Sequence, residues 1–137
     1  TMGSSTLGKA ASIDSLLNEC VQAFDDSGEL HVNLLPRTLL LMHRWYVPST
    51  ELAGKLLMKY PTGDDHQSTR LKICYLMRYW IVTFPAEFNL DLGLIRITEE
   101  FRDVAAQLGC EEHFKLIDIS TIRLCIHNSQ LLNLNIS

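Results

Sequence analysis

The sequence has no long apolar run and no cluster of basic residues. Its longest unbroken apolar stretch extends only from Ile73 to Met77, whereas a membrane-spanning helix needs about 20 apolar residues. Lysine and arginine total 12 against 16 acidic residues, so the formal net charge is −4. A nucleic-acid surface or a polybasic membrane surface needs a local basic excess. We therefore expect no nucleic-acid partner and no direct membrane insertion.

Paired cysteines and cofactor motifs are also missing. The four cysteines, Cys20, Cys74, Cys110 and Cys125, are widely separated, and the N-terminal segment has no apolar core of the kind that a secretion signal requires. We expect a cytoplasmic chain with reduced thiols. The sequence contains no phosphate-binding loop, no dinucleotide fingerprint and no zinc-ligand spacing. We therefore expect no cofactor, no metal ion and no catalytic residue.

Two local patterns approach a functional site but depart from it. Residues 25–29 (DDSGE) are similar to part of a calcium loop, but Ala23 occupies the first ligand position of that pattern. A capped, acidic helix end is the better interpretation. His43 is a candidate general base with no nucleophile close to it in the sequence, which favours a structural role. We expect the remaining histidines, which have polar neighbours, to be solvated: His31, His66, His113 and His127.

Apolar residues at helical spacing are present along most of the chain. Ser12 is a candidate N-cap for the first helix, which would follow a flexible segment over residues 1–11. Further helices are predicted over residues 33–45, 69–84, 92–108 and 111–116, together with a helix that is capped by Ser49 or Thr50 and includes residues 52–60. The best strand candidate, residues 115–119, is short. We therefore predict an all-α fold, a compact bundle of about five to six short helices.

The helix predicted over residues 69–84 is apolar on almost its whole circumference, as expected for a buried helix. Trp80 lies in this helix and is predicted to be core. Trp45 and Tyr46 fit a core position and a partner interface about equally well, because tryptophan is enriched at binding hot spots. We take Trp45, Tyr46 and Tyr79 as the candidate partner interface. The predicted structural core contains Leu40, Leu56, Cys74, Met77, Trp80, Ile81 and Phe101.

Two longer segments resemble a known family. Residues 39–52 (LLLMHRWYVPSTEL) are similar to the helix, turn and helix of the Ras exchanger motif, the N-terminal domain of Ras-family guanine nucleotide exchange factors. Residues 70–88 (RLKICYLMRYWIVTFPAEF) resemble its second block, a buried helix with a central tryptophan that ends before an acidic-aromatic pair. Residues 7–11, 24–30, 84–90 and 116–119 are similar to the Ras guanyl-releasing protein branch.

The resemblance implies an all-helical, non-catalytic module over residues 12–120. Such a module packs against the catalytic exchange domain of its parent protein, stabilises it, and acts on Ras and Rap GTPases only indirectly. The resemblance further implies a calcium- and diacylglycerol-regulated parent that is recruited peripherally to membranes. Residues 121–137 depart from the family pattern, and we expect the chain alone to be inactive. The alternative is a free-standing helical adaptor, or a competing splice product, that binds another protein.

Overall fold

The computed structural model describes residues 5–31, 34–63, 66–108 and 111–118 and, within them, all side chains except those of residues 5–12, 111 and 114. These ranges contain seven α-helices and one 3-10 turn. The all-α prediction is therefore confirmed. The chain divides into two compact units, Thr1–Leu76 and Met77–Ser137. The divergent tail over residues 121–137 lies outside the described residues.

The first unit contains three helices, the 3-10 turn and the beginning of a fourth helix. Helix α1 is Ser5–Gln22 and α2 is Leu35–Met42. The 3-10 turn is His43–Trp45, and α3 is Ser49–Met58. Helix α4, Gln67–Thr83, begins in this unit.

Helix α1 begins at Ser5 and not after Ser12, so the predicted helix start is wrong. Lys9, Ala10 and Ala11 have high helix propensity, and a serine inside a helix costs only a few tenths of a kcal/mol, on the order of 0.5. A good N-cap residue therefore does not force a helix to begin there. Residues 1–4 of the predicted flexible segment lie outside the described residues, and its flexibility stays a prediction.

Prolines mark the starts of three helices. Pro36 lies in the first turn of α2, and Pro85 begins the short helix α5, Pro85–Leu90. A missing N–H costs no helical hydrogen bond at these positions. Pro48 immediately precedes α3. The sequence predicts that α4 ends before Pro85, but it does not predict α5, which is too short to show a helical period.

The core of the first unit is formed by the inward faces of its helices. The Asp14 carboxylate of α1 lies 3.9 Å from Nζ of Lys55 in α3 and 3.7 Å from Nζ of Lys59, which follows α3. These ion pairs are partly exposed and contribute little to the free energy of folding. Burial of apolar side chains is the larger contribution. The buried apolar side chains include Leu17, Cys20, Val21, Phe24, Leu40, Leu52, Ala53, Leu56, Tyr60, Ile73, Cys74 and Leu76.

The second unit contains the end of α4, α5, α6 (Leu92–Gln107) and α7 (Glu111–Leu116). The Asp91 carboxylate accepts a hydrogen bond from the backbone N–H of Leu94 at 3.2 Å and so caps α6. The buried apolar side chains include Met77, Trp80, Ile81, Phe88, Leu94, Ile95, Phe101, Ala105 and Ile117. Across the two units, all seven residues of the predicted core are buried.

Helix α7 corrects two expectations about the end of the described chain. Lys115 and Leu116 belong to α7, so the strand candidate over residues 115–119 is wrong. His113 is only 4% exposed, so its predicted solvation is also wrong. It lies one helical turn before the fully buried Ile117, and this spacing turns both side chains inward. His31 and His66 are exposed as predicted, and His127 lies outside the described residues.

Crossing a bilayer requires a helix that is both long and apolar. None of the described helices meets both requirements.

Candidate functional site

Five large apolar side chains on and around α2 are exposed to solvent. Trp45 is 82% exposed, Leu34 75%, Tyr46 56%, Leu41 52% and Met42 43%. Leu34, Leu41 and Trp45 follow one another at spacings of seven and four residues, so they share one side of the helix. We call these five residues the α2 surface. The candidate interface residues Trp45 and Tyr46 therefore belong to a wider apolar face that the sequence pattern did not delimit.

A shallow apolar hollow lies beside the α2 surface, between α1 and α2. Leu16 of α1 and Leu39 of α2 line it, and Met42 and Tyr46 line both the hollow and the α2 surface. Its volume is about 160 Å³. An apolar cavity of about 150 Å³ accommodates benzene. The hollow therefore has room for one large apolar side chain of a partner.

His43 lies beneath this region, where it joins the 3-10 turn to α3. Its Nδ1 lies 2.7 Å from the Leu40 carbonyl oxygen, which can only accept, so Nδ1 carries the proton. The other ring nitrogen, Nε2, then accepts a hydrogen bond from the Ser49 hydroxyl at 3.0 Å. Sequence reasoning missed this serine as a neighbour of His43. The two side chains are 1% and 6% exposed, so the pair is closed to a substrate and has a structural role.

The segment that resembles part of a calcium loop is a hydrogen-bonded turn. One Asp25 carboxylate oxygen accepts from the backbone N–H and the hydroxyl of Ser27 and from the N–H of Glu29, and the other lies 2.9 Å from His31 Nε2. The Ser27 hydroxyl and the Glu29 N–H hold the pKa of Asp25 well below its usual value. The Asp25 carboxylate is therefore used for hydrogen bonds to residues 27, 29 and 31 of the same segment. No group of three or more potential metal ligands occurs in the part of the chain that the structure describes.

The same turn is held against α4. Gly28 has φ +86°, and a Cβ at this position would lie 2.7 Å from Cε1 of Tyr75. The Tyr75 hydroxyl donates to the Asp26 carbonyl at 3.0 Å, and the Ser68 hydroxyl donates to the Asp26 carboxylate at 3.1 Å. Glycine is therefore required both by the backbone conformation and by the close approach of the ring.

Arg70, at the start of the second family block, is a buried cation with a structural role. Its side chain is 4% exposed, and its guanidinium donates to the carbonyl oxygens of Pro61 and Gly63 in the loop before α4. A buried guanidinium is tolerated when its donors are hydrogen-bonded. The residue thus fixes the loop that follows α3.

The acidic-aromatic pair of the same block encloses the central tryptophan. Trp80 is fully buried, and its indole N–H donates to the Glu87 carboxylate at 3.2 Å. The ring of Phe88 meets the indole edge-on, with 5.4 Å between centroids. Helix α5 therefore supplies both an acceptor and an aromatic contact to one side chain of α4. The structure gives this block a packing role within the second unit.

Tyr79, the third candidate interface residue, lies in the second unit and is half-buried. The second unit also has a groove of about 590 Å³. Arg78, Val82 and Lys115 are among its lining residues, and Val82 is 69% exposed. The groove combines charged and apolar side chains, unlike the nearly uniform apolar character of the α2 surface.

The described cysteines are poor nucleophiles. Cys20 and Cys74 are free and buried. Burial, followed by the nearby Glu19 charge, raises the pKa of Cys20 to about 12. Because the thiolate is the reactive form, this thiol is inert at neutral pH. Cys110 and Cys125 lie outside the described residues.

Comparison with known proteins places the chain in a family. No family model matches it. It is 67% identical to Ras guanyl-releasing protein 3 of Homo sapiens over 123 residues, which cover 88% of this chain and 18% of the relative. It is 40% identical to RAS guanyl-releasing protein 2-B of Xenopus laevis, covering 88% of this chain and 20% of the relative. It is 35% identical to RAS guanyl-releasing protein 4 of Rattus norvegicus, covering 82% of this chain and 17% of the relative.

These alignments cover most of this chain but only a small part of each relative. The chain spans at most 20% of the length of these three curated relatives. The regions of resemblance include the helix pair around the exposed Trp45 and the block around the buried Trp80, which is hydrogen-bonded to Glu87. With its all-helical fold and this level of identity, the chain belongs to the Ras guanyl-releasing protein family.

Proposed function

We propose that this chain is the non-catalytic N-terminal module of a Ras-family guanine nucleotide exchange factor. In this proposal it packs against the exchange domain of its parent protein and stabilises that domain in its active conformation. The α2 surface carries the proposal, because large exposed apolar patches usually mark an interaction site. The match to under a fifth of the human relative's length is consistent with a module that works beside further domains.

The proposed mechanism is a shift between conformations of the exchange domain. A module that binds the active conformation more tightly raises its population, and the gain is limited by the difference between the two affinities. In this proposal the chain acts by binding, and the one His–Ser pair considered as catalytic, His43 and Ser49, is enclosed. Ras and Rap would be affected only through the exchange domain. The proposal also places the parent in the cytoplasm with peripheral recruitment to membranes, because the resemblance is to calcium- and diacylglycerol-regulated exchange factors.

Fluorescent-nucleotide release tests this function directly. Release from Ras and from Rap would be followed with the chain alone, with a separately produced exchange domain of the human relative alone, and with both. We expect no release by the chain alone and faster release by the mixture than by the exchange domain. Trp45→Ala in the α2 surface should reduce this acceleration, whereas the matched control Met58→Ala should not, because Met58 is 87% exposed at the end of α3 and lies outside the α2 surface.

Two results would contradict the proposal in different ways. Release by the chain alone would show that it is catalytic. An unchanged rate in the mixture, together with no measurable association, would remove the module function and favour the free-standing adaptor.

A further inference from the structure

We propose that residues 122–126, in the divergent tail of this chain, dock as an extended segment into the groove of the second unit. Ile122, Leu124 and Ile126 would face the groove, and the residues between them would face solvent. The occupant is part of the same chain, so the inference does not depend on the proposed function. It gives a role to residues that depart from the family pattern and lie outside the described residues.

The groove is lined by the end of α4 and by α7. Ile81 and Val82 follow Arg78 by three and four residues, so these three lining residues share one face of α4. Lys115 and Leu116 line the groove from α7. Val82 is 69% exposed and Leu116 is half-buried. The groove therefore leaves apolar side chains open to a covering segment.

The size of the groove suits several side chains of one segment. Its volume is about 590 Å³. Because a cavity of about 150 Å³ accommodates benzene, the groove has room for about three or four large apolar side chains. Three alternate residues of an extended segment span about 13 Å, at about 3.3 Å per residue. Residues 122, 124 and 126 would therefore fill the groove together, whereas a single side chain would leave most of it to water.

The chain leaves the described part of the structure at this groove. Asp118 is both a lining residue and the last described residue. Ile122 follows four positions later, which is at most about 14 Å along an extended chain. A segment tethered so closely has an effective concentration on the order of millimolar, so it competes strongly with any partner that must diffuse to the site. This continuity favours the tail over a separate molecule as the occupant.

The sequence of the tail has the pattern that such a groove requires. Residues 122–127 (IRLCIH) alternate between large apolar residues and other residues. In an extended segment this alternation places the apolar residues on one side, and Arg123 and His127 on the other. A segment with one apolar side is stable in water only when that side is covered. The groove supplies such a cover within reach of the segment.

The charges favour the same orientation of the segment. Arg78 and Lys115 bring two cations to the groove, together with one carboxylate from Asp118. Arg123 is the one charged residue in the sequence of residues 119–137. With the apolar residues turned inward, Arg123 is turned outward, so its charge stays solvated and away from the two cations. A slip of one residue would bring a third cation into the groove and expose the apolar residues.

Disulfide scanning in the full chain tests the location of the tail. A background with Cys110→Ser and Cys125→Ser removes two thiols, and the other two, Cys20 and Cys74, are buried. Val82→Cys then places a reactive thiol in the groove, because Val82 is exposed and lines it. A second cysteine is introduced at one tail position at a time. Mild oxidation is followed by mass spectrometry under non-reducing conditions.

The yield of the intramolecular disulfide should depend on the position of the second cysteine. A disulfide needs two Cβ atoms about 3.5–4.5 Å apart. The yield should be high for Leu124→Cys and at least about fivefold lower for Arg123→Cys, since neighbouring residues of an extended segment lie on opposite sides. Leu134→Cys is the control from the same tail, and its yield should be as low as that of Arg123→Cys.

The rate at which a thiol reagent modifies Val82→Cys gives a second measurement. Two triple variants differ only in where serine replaces alternate apolar residues. The first carries Ile122→Ser, Leu124→Ser and Ile126→Ser, and the second, the matched control, carries Leu132→Ser, Leu134→Ser and Ile136→Ser. The first should raise the rate at least about tenfold, because the segment no longer stays docked over the groove. The control should leave the rate unchanged.

Four results would overturn the proposal. Equal disulfide yields at residues 123 and 124 would exclude the extended register. An unchanged modification rate in the first triple variant would show that the segment does not cover the groove. Disulfides between two chains, with a yield that rises with protein concentration, would make the tail of a second copy the occupant. Protection of Val82→Cys only after the exchange domain of the human relative is added would assign the groove to that domain.

Discussion

Replacing Gly28 by alanine is expected to destabilise the fold by about 2 kcal/mol. The backbone at Gly28 has φ +86°, and a left-handed conformation costs a non-glycine residue roughly 1–2 kcal/mol. A Cβ would also lie 2.7 Å from Tyr75 Cε1 and 2.9 Å from Cδ1 and Cζ. The ring must then move, because real Cβ contacts are not this short.

Movement of the Tyr75 ring has its own cost. Its hydroxyl donates to the Asp26 carbonyl at 3.0 Å, and its ring centroid lies 6.2 Å from that of Phe24. Losing one such hydrogen bond costs about 0.5–1.5 kcal/mol. Alanine also lowers the conformational entropy of the unfolded chain, which offsets about 0.4–1 kcal/mol of this destabilisation. The balance of these terms is the predicted loss of about 2 kcal/mol.

Urea unfolding of the full chain, followed by circular dichroism, measures this loss, and the Gly54→Ala variant is the control. Gly54 lies within α3, and no neighbouring atom lies within 4 Å of the position that an alanine Cβ would take there. That change should stabilise the fold by about 0.5–1 kcal/mol through helix propensity. In a Tyr75→Ala background the cost of Gly28→Ala should fall to the backbone part, about 1 kcal/mol. Equal effects of Gly28→Ala and Gly54→Ala would show that neither the backbone conformation nor the Tyr75 contact at this turn requires glycine.

Three further changes test individual contacts. Phe88→Ala should destabilise the fold by about 3–5 kcal/mol and shift the fluorescence of Trp80 to the red, because it opens a cavity beside a buried indole. Arg70→Met should cost about 1–3 kcal/mol in urea unfolding, since two loop carbonyls lose their donors. The lowered pKa of Asp25 means that its ionised form stabilises the fold. That stability is present above about pH 4 and is lost as pH falls further, so Asp25→Asn should flatten the thermal stability between pH 5 and pH 3, on the basis of an ordinary pKa of about 3.9.

Helical periodicity predicted much of the fold because most helices here have one continuous buried face. The predicted helix over residues 111–116 coincides with α7, Glu111–Leu116. The sequence predicts Ser49 or Thr50 as the N-cap of α3, whereas the helix already begins at Ser49 and Pro48 occupies the cap position without a side-chain hydrogen bond. The start of α1 was misplaced because a favourable cap residue can equally lie inside a helix. Helix α5 was missed because Pro85, which follows the end of α4 at Thr83, marks the end of one helix in the sequence pattern but is also the first residue of the next.

The candidate site was only partly predictable, because it depends on contacts between distant residues. Trp80 lies within a long apolar helix, and periodicity identified it as core. Trp45 lies at a helix end, where the apolar periodicity of the helix stops. The sequence therefore could not predict that this side chain is 82% exposed. The burial of Arg70 depends on carbonyl oxygens of the preceding loop. The burial of His113 depends on how α7 packs on α6. The residues around Arg70 and His113 that bury these two side chains cannot be recognised from the local sequence.

Titration calorimetry between the full chain and the exchange domain of the human relative tests whether that domain covers the exposed apolar surface of the chain, as the proposed function requires. We expect one-to-one binding with a heat-capacity change on the order of −0.3 to −0.5 kcal/mol/K, from roughly 600 Å² of apolar surface buried on each side. The absence of saturable binding, or binding with no change in heat capacity, would show that the exchange domain does not cover this surface.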